Sequence, residues 1–139
     1  MLDKREGTVR GLGNDGAYWS GLERGVLNLP RCSGCHKWHW PAPFRCGDCG
    51  SWEFLWVEVP IEGEIYSWTR VHHAFAGAED LGLPYVTVSV ALPQASGIRL
   101  YGVLENPDEV HIGMPVKGSV RTTKAFDRDI PALQWRAEA

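Results

Sequence analysis

The stretch LPRCSGCHKWHWPAPFRCGDCGSW, residues 29–52, holds all four cysteines of the chain in two CxxC pairs, Cys32/Cys35 and Cys46/Cys49, with ten residues between the pairs. This is the spacing of a ribbon. Each pair makes a tight knuckle, and the excursion between them, expected as a hairpin, returns four sulfurs to one ion. Tetrahedral thiolate coordination suits Zn2+, although the same four sulfurs also hold iron in rubredoxin-like sites. A catalytic zinc keeps one position open for water or substrate, so a set of Cys32, Cys35, Cys46 and Cys49 reads as structural. His36 and His39 lie in the excursion, surplus to that set, and are expected beside the ligands or in solvent. Trp38, Trp40, Trp52 and Trp56 bracket the module. They either pack it against its neighbours or face outward to a partner.

The rest of the chain is ordinary for a globular protein, at 44% hydrophobic and 22% charged residues. No run approaches the ~18 apolar residues of a membrane span, and the opening MLDKREGTVR is charged where a secretory leader turns apolar. A cytoplasmic protein without membrane contact is expected, and in that reducing compartment clustered cysteines favour metal thiolates over disulfides. Fourteen basic residues against seventeen acidic ones give a net charge of -3 with no basic block, which opposes long-range attraction to nucleic acid.

Outward from the cysteines, Tyr18, Trp19, Leu22 and Val26 of DGAYWSGLERGVL recur at helical spacing, with Asp15 placed to cap the start. Gly21 and Gly25 weaken such a helix by about 1 kcal/mol each relative to Ala, so it should be short and depend on docking. GTVRGLGNDG upstream reads as an arm. Beyond Trp52 the period becomes two-fold. EIYSWTRV, YVTVSVAL, IRLYGVL, PVKGSVRTT and ALQWRAE read as five strands separated by turn-rich segments, and WEFLWVEV as an extended link leading to them. In the first strand, alternation puts Ile65, Ser67, Thr69 and Val71 on one face and Tyr66, Trp68 and Arg70 on the other. Five strands in about eighty residues suit a closed barrel, which leaves no edge unpaired. The expected fold is therefore mainly β: a short N-terminal helix, a rubredoxin-like zinc ribbon and a C-terminal five-stranded OB-fold barrel. A five-stranded sandwich shares the same periodicity. The expected division is an arm and helix over 1–28, the ribbon over 29–58 and the barrel over 59–139, with no internal repeat.

YWSGLERGVLNLPRC, PAPFRC before the second knuckle, WVEVPIEGEIYSWTRVHH, LPYVTVSVAL, IRLYGVLEN and VHIGMPVKGSV together resemble the acyl-CoA-associated zinc-ribbon plus OB-fold proteins, domain-of-unknown-function family thirty-five. The resemblance runs from about Tyr18 to Arg136. It departs at His36, because family ribbons commonly place glycine after each knuckle, as Gly50 does here; a left-handed backbone is expected at His36. The resemblance implies a non-catalytic accessory subunit in a hetero-oligomer with a thiolase-like enzyme. That partner would supply the nucleophile for thiolysis, acyl transfer or retro-aldol cleavage of acyl-CoA thioesters, steroid side-chain degradation being one setting. The small subunit would help shape the acyl-CoA channel.

On its own the chain offers no nucleophile, since its cysteines are committed to metal. His72 and His73 end the first barrel strand ahead of the AFAGAEDLGLP loop, and adjacent residues on a strand face opposite ways, so at most one faces a site. With Arg70 they are the candidate contacts to acyl-CoA. Arg70, Arg99 and Arg121 can also meet CoA phosphates through charge-assisted hydrogen bonds. The reading from a different class is a single-stranded nucleic-acid binder that stacks bases on Tyr66, Trp68 and Tyr85; the acidic net charge opposes it.

Overall fold

The computed structural model describes residues 14–106, 108–125 and 128–138, so most of the arm expected before the helix lies outside the described residues. Helix α1 (Gly16–Glu23) ends earlier than its periodicity suggests. Gly25 takes φ 76°, its N–H bonds to the Leu22 carbonyl, and the Val26 N–H bonds to the Gly21 carbonyl, both at 2.9 Å. Those paired bonds satisfy the last turn and stop the helix, so Gly25 acts as a terminator rather than as a weak interior position. Asp15 does not cap with its side chain. Its carboxylate accepts from the Trp19 indole N–H at 3.1 Å instead.

Strand β1 (Leu27–Cys32) pairs antiparallel with β2 (Phe54–Val59), from Leu27 opposite Val59 to Cys32 opposite Phe54. The segment expected as a link is thus half of the ribbon. The excursion between the knuckles is not a hairpin: among the described residues its one ladder contact is a bridge from Trp38 to Arg31, and its chain turns through a cis Trp40–Pro41 bond.

The five expected strands are all present, as β3 (Glu62–Val71), β4 (Tyr85–Leu92), β5 (Ile98–Leu104), β6 (Pro115–Ala125) and β7 (Arg128–Ala137). They close in the order β3-β4-β5-β7-β6, with β5 and β7 parallel and every other pair antiparallel. This is the OB-fold barrel. β3 takes part in both halves of the barrel, Glu62–Glu64 pairing with β6 and Glu64–Val71 with β4. A bulge between Ile65 and Ser67 makes this possible and breaks the expected alternation. Ile65 opposes the buried Val90, whereas Ser67 and Thr69 oppose Ser89 and Thr87, and Trp68 and Arg70 oppose the buried Val88 and Val86. One inserted residue has exchanged the two faces beyond it. Tyr66, Trp68 and Tyr85 consequently form no common stacking platform, and Tyr85 is itself buried.

Trp135 fills the barrel with no exposure. A Cβ at Gly102 would stand 2.7 Å from its indole, and one at Gly118 would stand 3.0 Å away, so the ring rests on the bare backbones of β5 and β6. The core continues out of the barrel. Tyr18 and Leu22 of α1, Leu27 and Leu29 of β1 and Val59 of β2 join Ile65, the β4 valines, Leu100 and Trp135 in one cluster. Helix, ribbon strands and barrel therefore share a single apolar interior. Trp38, Trp40 and Trp56 pack half-buried against it, while Trp52 is 68% exposed. Among the described residues no helix is long and apolar enough to cross a membrane.

Candidate metal centre and the adjoining cleft

Each knuckle is a tight turn closed by its own backbone. The N–H of His36 bonds to the Cys32 carbonyl at 2.9 Å, and that of Gly50 to the Cys46 carbonyl at 3.0 Å. Both closing residues have positive φ, 65° at His36 and 80° at Gly50, so the expected left-handed histidine is present. Arg31 donates from Nε to the His36 carbonyl at 2.8 Å, and Arg45 from Nε to the Gly50 carbonyl at 3.0 Å. Their guanidinium groups lie over Trp38 and Trp52, at 5.2 and 5.5 Å from the ring centres. RCSGCHKW (31–38) and RCGDCGSW (45–52) are thus two copies of one device, an internal repeat that sequence reasoning missed. The arginine before each pair and the tryptophan three residues after it carried the signal.

The sulfurs of Cys32, Cys35, Cys46 and Cys49 all lie within 4.8 Å of one another. Cys32 and Cys49 are 3.5 Å apart and Cys35 and Cys46 are 3.7 Å apart. An ion with 2.3 Å bonds to four tetrahedral sulfurs requires S···S separations of ~3.8 Å, so the cage fits a zinc-sized ion. The electrostatics agree. The backbone N–H of Cys35 holds the Cys32 thiol down to about 6, and that of Cys49 lowers Cys46 in the same way. Cys35, although the Lys37 N–H favours its thiolate, is pushed up to about 11 by desolvation and by the neighbouring sulfurs. A cation at the centre relieves that crowding. His39 places Nε2 3.4 Å from the Cys46 sulfur, and His36 is exposed. Lys37 and Asp48 tie the two knuckles together with a 2.5 Å ion pair, at half-exposed positions where such pairs contribute little to stability.

A cleft of about 500 Å³ opens beside this centre, between the excursion and the chain entering β5. Lys37, Trp38 and Trp40 line one side, and Ser96, Arg99 and Tyr101 the other. Trp40 is backed by Tyr18 at 4.3 Å between ring centres. Arg99 stacks over Tyr66 at 4.4 Å. The candidate contacts Arg70, His72 and His73 lie elsewhere. Arg70 sits over Trp68 at 5.9 Å, His73 meets Phe75 at 4.6 Å, and both histidines are exposed at the start of the β3–β4 loop.

The family description "ChsH2, C-terminal OB-fold domain" matches residues 56–121. A Thermomonospora curvata protein named a probable enoyl-CoA hydratase alpha subunit is 32% identical over 108 residues, covering 76% of this chain and 33% of that protein. The chain therefore spans about a third of the curated relative's length. A solved structure, the Ltp2-ChsH2(DUF35) aldolase, superposes with a TM-score of 0.73 at 28% identity, covering 92% of this chain and 98% of the matched one. A DUF35 protein of unknown function from Sulfolobus solfataricus has a TM-score of 0.57 at 19% identity, covering 88% of this chain and 83% of that one, and shares the fold.

Proposed function

The chain belongs to the DUF35 family, and from that premise we propose that it is an accessory subunit of an enzyme complex acting on acyl-CoA thioesters. The match to ChsH2 over 98% of that chain carries the reading, because ChsH2 stands beside Ltp2 in an aldolase structure. The relative named as a hydratase subunit supports a CoA-linked setting. In this reading the partner is a thiolase-like protein that supplies the nucleophile for thiolysis, acyl transfer or retro-aldol cleavage, and steroid side chains are one substrate class. Cys32, Cys35, Cys46 and Cys49 hold a structural zinc that keeps the ribbon folded against the barrel. Large apolar side chains that face solvent, among them Phe44, Trp52 and Ile112, are the kind of anchors a subunit interface buries.

Affinity purification of the chain from its source cell, with mass spectrometry and light scattering, tests the proposal. A stoichiometric complex with a thiolase-like protein is expected, with acyl-CoA turnover by the complex and none by the chain alone. A chain that purifies without a partner, or that turns over acyl-CoA unaided, would overturn it.

A further inference from the structure

The cleft between the ribbon excursion and β5 differs from the rest of the surface. Among the described residues its lining carries the cations Lys37 and Arg99 and no carboxylate, in a chain whose net charge is -3. Lys37 is already paired with Asp48 at 2.5 Å, so Arg99 is the principal cation of the cleft. Three aromatic rings, Trp38, Trp40 and Tyr101, stand around the same space, and Tyr101 is 76% exposed. Arg99 and Tyr101 are two residues apart on β5 and so face the same side of the sheet. At the edge of the cleft Ser96 is held at φ 54°, a left-handed conformation that costs a non-glycine residue energy, and Gly97 follows at φ 80°. The volume of about 500 Å³ lies within the range of small-molecule pockets.

Aromatic rings around a recess bind a planar ring by stacking, and cations at its margin bind phosphate. From this combination we infer that the cleft is a binding site for a purine nucleotide carrying phosphate groups. Resting on the proposed function, its source is the phosphoadenosine end of the CoA thioester, which would lie at the seam between ribbon and barrel while the acyl end reaches the partner. Trp40 and Trp38 form the wall for the base, Tyr101 closes over it, and Arg99 meets the phosphates, with Lys37, shared with Asp48, at the margin. The metal cage then has a second consequence: by holding the excursion in place it sets the position of two of the three aromatic walls.

The test titrates the whole zinc-loaded chain with adenosine 3′,5′-bisphosphate, CoA, pantetheine and a single-stranded oligonucleotide, followed by calorimetry. The bisphosphate and CoA are expected to bind at one site, with pantetheine showing no saturable binding. Stacking on an aromatic side chain contributes about 1–3 kcal/mol, so Tyr101→Ala should weaken both nucleotides at least fivefold. Arg99→Gln should do the same, and both exposed substitutions should leave the unfolding midpoint unchanged. Absence of saturable nucleotide binding, unchanged affinity in both variants, or tighter binding of the oligonucleotide than of either nucleotide would each overturn the site. The titration needs no partner, so its failure leaves the accessory-subunit reading to the purification experiment, and failure there leaves the nucleotide site standing.

Discussion

His36 and Gly50 occupy the same place in the two knuckles. Each closes its turn on the carbonyl of the first cysteine, has positive φ and accepts a hydrogen bond from the arginine that precedes its pair. Only one of them is glycine. Removing the Cβ at His36 should therefore relieve strain without losing a hydrogen bond, since its observed bonds use the backbone. His36→Gly is expected to stabilise the protein by about 0.5–1 kcal/mol, and Gly50→Ala to destabilise it by a similar or larger amount. A Cβ at Gly50 would also stand 3.0 Å from the Arg45 guanidinium. Denaturant unfolding of the two variants checks both signs.

The sulfur cage predicts a colourless protein with one equivalent of zinc by elemental analysis; an iron centre would colour it. Cys32→Ser and Cys46→Ser replace the two buried cysteines of the candidate set. Structural zinc contributes roughly 10–16 kcal/mol in comparable modules, comparable to the whole ~5–15 kcal/mol that holds a typical domain folded. Both variants should lose metal and cooperative unfolding together. A variant without metal but with wild-type unfolding would remove the structural role.

Gly102→Ala should be severe although the change is one methyl group. The added Cβ would lie 2.7 Å from the Trp135 indole and 2.8 Å from the Leu133 carbonyl, and the indole, fully buried, has little room to retreat. Overpacking of this kind costs about 1–3 kcal/mol. Gly16→Ala, with nothing within 4 Å of the new Cβ, is the control and should be neutral or slightly stabilising. Equal stability of the two variants in thermal unfolding would contradict the packing described.

Burial, with a smaller contribution from Asp15, pushes the Tyr18 phenol up to about 12 from its ordinary value of 10.0. The folded state then keeps a proton that the unfolded state releases. Its contribution is intact below pH 10 and is lost as pH rises toward 12, to the extent of about 3 kcal/mol by linkage. Tyr18→Phe, which cannot ionise, should flatten the fall in stability across that window. A wild-type protein equally stable at pH 9 and pH 11.5 would show that Tyr18 is not held neutral by the core.

Some elements were legible because their signals are local. YVTVSVAL carries uninterrupted alternation and IRLYGVL is a short apolar run set between turn-rich segments, and β4 and β5 have those bounds. β3 was legible as a strand but not in its facing, because the bulge at Tyr66 answers to a demand from two different neighbours, β4 and β6, that no single-strand pattern records. The helix was placed correctly and ended wrongly. Two glycines that read as weak interior positions act as a helix terminator at Gly25 and as close packing at Gly21, where a Cβ would meet Asn28 at 2.8 Å.

By itself the sequence determined the four-cysteine set and the number of barrel strands and their order along the chain, since cysteine spacing and two-residue alternation are short-range properties of the chain. Tertiary structure alone decided that Trp38 and Trp40 stand beside Arg99 and Tyr101. Those residues lie about sixty positions apart, and they meet because one core runs from α1 through the ribbon strands into the barrel. The cleft comes from docking two modules on a shared apolar interior, which depends on how their surfaces fit and not on any pattern within either one.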